Sequence, residues 1–197
     1  MIKLSDDFIA QMRHILPDEC DALLEAITTT DPSVAIRVND GRGISLSDDA
    51  VGRVPWCTTG RYLKERMPFT FDIDFQTGRY YVQDASSMFI HHVIKHVVKE
   101  PVRYLDLCAA PGGKTTTAIS ALPADSMVVA NEIMPARARV LHENIVKWGS
   151  PRCIVTNNAP HDLGKLHHFF DVVATDVPCS GEGMMRKDEE ARNQWTP

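Results

Sequence analysis

The chain has 197 residues, 44% of them hydrophobic and 24% charged, and 21 lysines and arginines stand against 26 aspartates and glutamates for a net charge of −5. This composition excludes a collagen-like, low-complexity or wholly disordered chain, and the length allows one sizeable core or a large domain with a small companion. The acidic balance excludes nucleic-acid binding through bulk charge, so any contact with RNA needs a local basic surface.

Cysteine usage and the N-terminal residues bear on the compartment. Five cysteines are scattered along the chain without a C-x-x-C pair, which argues against a disulfide framework and against a tetrahedral zinc site. The N-terminus carries no signal peptide, and no apolar run approaches the ~18–20 residues of a membrane span. We therefore expect a cytoplasmic protein without a metal ion.

The first 82 residues predict a small α+β domain with a connecting segment. Apolar residues at helical spacing predict one helix that stops at Pro17 and a second helix capped by Asp18. Residues 33–39 predict a strand, whereas residues 40–82, rich in glycine and proline, are predicted to be irregular. Basic and aromatic side chains interleave in this segment, which could contact RNA or form an ordinary mixed surface. They are Arg61, Tyr62, Lys64, Arg66, Phe69, Arg79, Tyr80 and Tyr81.

From residue 84 onward, predicted strands and helices alternate. The predicted strands are residues 102–107, 127–130, 153–156 and 171–175, and the main helices begin near Lys114 and cover residues 135–148. This alternation favours right-handed βαβ units and a parallel sheet. The predicted fold is therefore an α/β Rossmann-like core over residues 83–197, preceded by the small α+β domain over residues 1–82.

A small-residue loop joins the first of these strands to its helix, at the place where open α/β sheets bind ligands. It consists of Cys108, Ala109, Ala110, Pro111, Gly112, Gly113 and Lys114. A P-loop is excluded because Cys108 stands where its first glycine belongs, and the adjacent glycines match a dinucleotide fingerprint poorly. An S-adenosylmethionine site fits better, because Glu132 ends the second strand and can accept hydrogen bonds from both ribose hydroxyls. The alternative for Glu132 is a helix-capping or solvated glutamate.

Asp176 and Cys179 follow the fourth strand and bring a carboxylate and a thiol to the same crevice. Carbon 5 of cytosine accepts a methyl group only when a thiolate has added to carbon 6, with an acid assisting at ring N3 or the amino group. The pair therefore indicates pyrimidine carbon-5 methylation. The alternative for Cys179 is a small buried hydrophobic residue, the more common state of a cysteine after a strand.

Other polar residues favour ordinary surface roles. His92 and His96 are four residues apart on a predicted helix, but without a third ligand we expect solvated or capping histidines rather than a metal site. Arg137 is expected to be solvated. Arg186 and Lys187 follow the Asp176–Cys179 segment closely enough to lie near a substrate strand.

These motifs resemble the Nop/Sun family of RNA cytosine-5 methyltransferases, and most closely its bacterial branch, which modifies ribosomal RNA. The resemblance rests on CAAPGGK at 108–114, DVPCSGEGMMRK at 176–187 and YYVQDASSM at 80–88. It implies that the small-residue loop and Glu132 hold S-adenosylmethionine and that Asp176 lies between this cofactor and the cytosine. It also implies that Cys179 is the family's helper cysteine, which assists release of the methylated RNA.

The chain departs from the family pattern in two places. The resemblance puts the covalent nucleophile in a later Thr-Cys segment, yet no cysteine follows Cys179. We therefore expect a fragment of a longer protein or a truncated gene product, with a partial sheet and without the nucleophile or any C-terminal RNA-binding domain. Ala159 also stands where the family often has an acid that contacts the adenine, and Asn158 could substitute for it.

Three functions stay open at this point. The first is methyl transfer from S-adenosylmethionine to carbon 5 of cytosine in RNA, with ribosomal RNA as the expected substrate. The second is a truncated, non-catalytic module that binds S-adenosylmethionine or RNA. The third is a methyltransferase for another substrate, in which Cys179 is merely structural.

Overall fold

The computed structural model describes residues 2–43, 50–177, 181–186 and 188–196. The chain divides into two compact units, residues 1–32 with 177–197 and residues 33–176. This division does not coincide with the boundary predicted after residue 82, and the assignment of domains at that boundary stays a prediction.

Two helices begin the first unit, α1 at Asp6–Ile15 and α2 at Cys20–Thr29. The Ser5 side chain caps α1 by accepting a hydrogen bond from the Phe8 N–H at 3.2 Å. The predicted cap of α2 at Asp18 is wrong, because Glu19 holds the N-cap position without a side-chain bond. The Cys20 N–H instead donates to the Leu16 carbonyl at 2.9 Å, so the turn after α1 already satisfies a donor that a cap would serve.

The C-terminal residues of the chain complete the core of this first unit. A short helix covers Glu189–Gln194, and the buried side chains of the unit belong to Leu4, Phe8, Ile27, Met185 and Trp195. The rings of Phe8 and Trp195 meet edge to face with their centroids 5.2 Å apart. The two ends of the chain therefore share one small hydrophobic core.

The second unit begins with a four-stranded antiparallel sheet in the order β2-β3-β1-β4. Its strands are β1 Val34–Val38, β2 Ala50–Arg53, β3 Gly60–Leu63 and β4 Tyr80–Val82, and a short helix, α3 at Ile73–Gln76, precedes β4. The strand predicted over residues 33–39 is confirmed as β1. The prediction that residues 40–82 are irregular is wrong, because three short strands in that segment pair with β1 or with each other.

A parallel sheet in the order β7-β6-β5-β8 forms the rest of the second unit. Its strands are β5 Arg103–Asp106, β6 Met127–Asn131, β7 Cys153–Thr156 and β8 Val172–Ala174. The connecting helices are α4 Phe89–Val97, α5 Gly113–Ala121, α6 Pro135–Trp148 and α7 Pro160–Leu163. All four predicted strands and their parallel arrangement are confirmed. Because the chain moves from β5 outward to β7 and then returns to β8 on the other side of β5, a ligand crevice opens at the carboxyl ends of β5 and β8.

The main core of the second unit lies between the parallel sheet and its helices. Ala118, Val128, Ala130 and Leu141 are completely buried there, and Trp148 at the end of α6 is 5% exposed. This core holds α5 and α6 against the sheet, so that the first residues of both helices are fixed beside the ends of the strands.

The described ranges contain neither a membrane-spanning helix nor a metal-binding cluster. None of the helices there combines the length and the apolar character that crossing a membrane requires. Nor do these residues bring three histidine, cysteine, aspartate or glutamate side chains together as a metal site. Cys20, Cys57, Cys108 and Cys153 are free thiols.

Candidate functional site at the ends of the parallel strands

The small-residue loop turns from β5 into α5 through two glycines. Gly112 has a φ of +110°, a conformation that other residues rarely adopt, and a Cβ there would lie 3.2 Å from the Leu141 side chain. A Cβ on Gly113 would lie 3.3 Å from the Tyr81 ring. The two glycines therefore let the backbone run close to α6 on one side and to Tyr81 on the other.

Side chains of α6 and β4 hold the carbonyl groups of this loop. Arg137 Nη2 donates to the Ala110 carbonyl at 2.9 Å, and Asn144 Nδ2 donates to the Pro111 carbonyl at 2.8 Å. The Tyr81 hydroxyl donates to the Pro111 carbonyl as well, at 3.4 Å. Arg137 is exposed, as expected, but its guanidinium is also bonded to the loop, which the expectation did not include.

Asp106, the last residue of β5, is a buried carboxylate that the sequence reasoning missed. It is 4% exposed, and its Oδ2 accepts a hydrogen bond from Thr115 Oγ1 at 2.6 Å. Burial raises the pKa of Asp106, and the charge of Asp176 raises it further. An aspartate that ends a hydrophobic strand just before a glycine-rich loop is the signal that could have found it.

Glu132 follows β6 directly and is 2% exposed. Its Oε1 accepts a hydrogen bond from the Met134 N–H at 3.0 Å, so this oxygen holds the residue that directly precedes α6. Its Oε2 lies 3.5 Å from Arg137 Nη1. The carboxylate is thus not solvated: one oxygen bonds the residue before the helix, and the other faces the arginine that also holds the small-residue loop.

Asn131 joins the ends of three strands and is fully buried. Its Nδ2 donates to the carbonyls of Leu107 at 3.2 Å and Asn158 at 3.0 Å. Its Oδ1 accepts from Thr156 Oγ1 at 2.9 Å and from the Asn158 N–H at 3.0 Å. Because both donors and both acceptor positions of the amide are used, Asn131 fixes the crevice edge, including the exposed Asn158 that precedes Ala159.

Asp176 and Lys114 meet at the mouth of the crevice. Lys114 Nζ donates to Asp176 Oδ2, and the two side chains are 42% and 59% exposed. The pair connects the first turn of α5 with the segment after β8. Since it is exposed, it adds little to stability and stays free to exchange partners with a substrate.

The pKa of the Cys108 thiol responds to the acidic groups at the strand ends. Burial raises its pKa, and the charges of Glu132, Asp106 and Asp176 raise it further. The thiol is therefore protonated at neutral pH and is not a nucleophile. Three carboxylates from the ends of β5, β6 and β8 thus act electrostatically on the first residue of the small-residue loop.

The other predicted residues fall into two groups: those whose relation to this arrangement stays a prediction, and those that are core residues. Cys179 and Lys187 lie outside the described residues, and Arg186 belongs to the first unit. Phe69 and Tyr80, whose rings were offered to RNA, are 8% and 3% exposed. Those two rings are core residues, because they pack on each other 6.1 Å apart and the Tyr80 hydroxyl bonds Asp72.

Known proteins are similar to this sequence along nearly the whole chain. The profile of 16S rRNA methyltransferase RsmB/F matches residues 95–197, and that of the N-terminal domain of 16S rRNA methyltransferase RsmF matches residues 4–85. The ribosomal RNA small subunit methyltransferase F of Enterobacter sp. (strain 638) is 33% identical over 97% of this chain. That of Escherichia coli O157:H7 is 31% identical over 98% of it. The chain spans 43% of the length of each of these two relatives.

A solved structure supports the fold. The methyltransferase homolog protein from Pyrococcus horikoshii is 25% identical and superposes with a TM-score of 0.74, over 96% of this chain and 64% of that protein. The predicted Rossmann-like core is confirmed by this likeness and by the parallel sheet itself. The resemblance drawn from the sequence motifs is confirmed too, since a single family profile covers residues 95–197: the chain belongs to the RsmB/F family of 16S rRNA methyltransferases.

Proposed function

We propose that this chain provides the cofactor-binding half of an enzyme that methylates carbon 5 of cytosine in ribosomal RNA, using S-adenosylmethionine. The observation that carries the proposal is the convergence of the small-residue loop, Glu132 and Asp176 at the carboxyl edge of the parallel sheet. The names of the relatives and of the family support ribosomal RNA as the substrate. A ribosomal RNA substrate also favours the cytoplasm as the place where the protein works.

The residues present fit the cofactor. Glycines at 112 and 113 let the small-residue loop turn tightly between α6 and Tyr81, which brings the start of α5 to the carboxyl edge of the sheet, where ligands bind in such folds. Glu132 Oε2, whose contact with Arg137 is 3.5 Å long, can accept hydrogen bonds from ribose hydroxyls while Oε1 keeps its bond with the Met134 N–H. S-adenosylmethionine, when bound, supplies the methyl group.

Asp176 and Cys179 carry the proposed work on the base. The exposed Asp176 carboxyl can exchange its bond with Lys114 for one with ring N3 or the amino group of a cytosine. Lys114 then remains beside it and balances the charge of the carboxylate. Cys179, three residues after Asp176 in the sequence, is proposed to assist release of the methylated RNA, as the family resemblance implies.

Calorimetric titration of S-adenosylmethionine into the folded chain tests the cofactor site. We expect binding in the micromolar range, weakened about tenfold by Glu132→Gln, because a charged acceptor for the ribose becomes neutral while the amide oxygen can still accept from the Met134 N–H. The matched control is Glu143→Gln, which changes an exposed glutamate on α6 and should bind like the parent chain. A chain that is folded by circular dichroism but binds no cofactor would overturn the proposal.

Titration of a short cytosine-containing RNA into the cofactor-loaded chain tests Asp176. Asp176→Asn should weaken binding of this RNA and leave binding of the matching uracil-containing RNA unchanged. Asp162→Asn is the control, because Asp162 forms a comparable exposed pair with Lys165 at 2.6 Å but follows β7, at the opposite end of the sheet from β8. Equal loss for both RNAs would show that Asp176 does not read the base.

A further inference from the structure

Arg37 is a fully buried arginine in the middle of β1, far in sequence from the small-residue loop. Its Nε donates to Gln83 Oε1 at 3.0 Å, its Nη1 to Ser120 Oγ at 3.2 Å and its Nη2 to Thr116 Oγ1. The guanidinium also lies 4.3 Å from the centre of the Trp148 ring. Within the described part of the chain, all of these partners are uncharged.

A buried charge held only by neutral partners is unfavourable for stability alone. Burial lowers the pKa of Arg37 to about 10, so the group still carries its charge at neutral pH. An apolar side chain could fill the same space without this desolvation cost. The arrangement therefore calls for a role that an apolar residue would not fill.

The hydrogen bonds of Arg37 lead directly into the small-residue loop. Thr116 Oγ1 accepts from Arg37 and can donate to the carbonyl of Gly112 at 2.9 Å or of Gly113 at 3.0 Å. Gln83 leads only part of the way, because the single proton of Thr117 Oγ1 goes either to Gln83 Oε1 at 3.2 Å or to the Gly113 carbonyl at 2.8 Å. The continuous route therefore runs through Thr116 and ends on the glycine carbonyls at the turn into α5.

The start of α5 lacks the local features that usually fix a helix. Its N-cap is Gly112, which has no side chain to bond the first turn. Residues 115–117 are three consecutive threonines, all fully buried, and threonine is a weak helix former. The position of this turn must therefore come from tertiary contacts: the Thr115 hydroxyl bonds Asp106, and the Thr116 hydroxyl faces Arg37.

We propose that Arg37, on β1 of the antiparallel sheet, is a positioning residue. It fixes the turn at Gly112 and Gly113 in the small-residue loop and thereby sets the affinity for the cofactor. The effect on affinity rests on the proposed function. The antiparallel sheet then supports the cofactor site without contacting the cofactor, because the sheet and the loop share one hydrogen-bond network.

Arg37→Lys tests the proposal, since a lysine retains the charge but cannot make three fixed hydrogen bonds and stack on Trp148. The matched control is Arg152→Lys. Arg152 holds the other end of the same helix by donating to the carbonyls of Ile119 and Pro123, each at 2.8 Å. If Arg37 only stabilised the fold, the two variants would differ in melting temperature but not in loop exchange or in cofactor affinity.

Two measurements are compared at a temperature where both variants are folded. Hydrogen exchange followed by mass spectrometry should show that Arg37→Lys speeds exchange over residues 112–117 by about tenfold, with Arg152→Lys near the parent rate there. Titration of S-adenosylmethionine should show affinity lowered about tenfold by Arg37→Lys and changed less than about twofold by Arg152→Lys. Equal exchange and equal affinity in the two variants would overturn the proposal.

The outcomes also separate this proposal from the proposed function. If the parent chain binds no S-adenosylmethionine, the proposed function fails, and the exchange data alone decide whether Arg37 fixes the loop. If Arg37→Lys does not fold, Thr116→Val removes the shared hydroxyl at nearly constant shape, and Thr116→Ser restores it. Faster exchange over residues 112–117 in the valine variant, with the parent rate in the serine variant, would support the proposal, and equal rates would overturn it.

Discussion

His91 is the buried histidine of α4, at 5% exposure, while the neighbouring His92 is exposed. Burial lowers the pKa of His91 from its ordinary value of 6.5, and the charges of Lys95 and Arg37 lower it further, against an opposite effect of Asp40. The folded chain therefore binds this proton less tightly than the unfolded chain does. The stability that depends on neutral His91 is complete above pH 6.5 and is lost as the pH falls toward the lower folded pKa.

The predicted result is a steeper pH dependence in the parent chain than in His91→Gln. Between about pH 7.5 and about pH 5, the parent should lose more of its unfolding free energy than the variant loses. Urea unfolding at a series of pH values measures this difference. His92→Gln changes an exposed ring on the same helix and serves as the control. Parallel pH curves for the parent and His91→Gln would contradict the prediction.

Single residues of the candidate site differ in how far the sequence could predict them. The small-residue loop, Glu132 and Asp176 stand at strand ends, where residue type and position together indicate a ligand site. Arg37 carries no such signal, because an arginine in a short strand is normally exposed and its partners lie 46 to 83 residues away in sequence. Asn131 was missed for the same reason: its four hydrogen bonds exist only once the strands have assembled.

At the scale of secondary-structure elements, the turn before β4 packs against the end of α6. Gly78 has a φ of +68°, and a Cβ there would lie 1.9 Å from the Lys147 carbonyl oxygen. Asn39 Nδ2 joins the same two elements, since it donates to the carbonyls of Gly78 and Trp148, each at 2.9 Å. The antiparallel sheet and the parallel sheet are therefore coupled through this turn.

Gly78→Ala is expected to be far more destabilising than Gly43→Ala. Gly43 also has a positive φ, of +56°, but among the described residues beyond its chain neighbours no atom lies within 4 Å of a Cβ built on it. The Gly43 variant should lose about 1 kcal/mol through backbone strain alone, whereas the Gly78 variant should lose at least about 3 kcal/mol, because backbone atoms must move apart. Urea unfolding of both variants measures the difference. Similar losses would mean that the turn does not contact α6 in solution.

Helices that begin and end at characteristic residues were predicted well from the sequence. Short strands that form only by pairing with other strands were not. Helix α6 lies where it was predicted, because Pro135 starts it and Gly149, with a φ of +76°, ends it. Strands β2 to β4 are three or four residues long, and a register shift interrupts the pairing of β2 with β3. Such strands have too few residues for a periodic pattern, so their existence depends on partners elsewhere in the chain.

At the scale of the whole molecule, the two faces of the parallel sheet differ in how they are covered. On one face, Val172, Ala174, Cys153 and Val155 pack against the main core. On the other, four apolar side chains form one row across the sheet, set by strand register: Val173, Leu105, Val129 and Ile154. Leu105 and Val129 are 4% and 7% exposed, but Val173 and Ile154 at the two ends are 54% and 53% exposed. Parallel sheets are normally buried on both faces, so the ends of this row form an apolar surface open to association.

The double variant Val173→Thr with Ile154→Thr should reduce association while leaving the fold intact. Both side chains are half in water already, so we expect a loss of unfolding free energy below about 1 kcal/mol, together with weaker binding of a hydrophobic dye and less self-association in sedimentation velocity. Val172→Thr is the control, because Val172 is next to Val173 in the sequence but packs against the main core. Burying the new hydroxyl should lower the unfolding free energy by about 1–3 kcal/mol, whereas dye binding by the folded chain should not change. If the double variant instead loses as much stability as Val172→Thr and binds dye like the parent, the ends of the row are covered in solution. The apolar surface would then have to be sought elsewhere on the molecule.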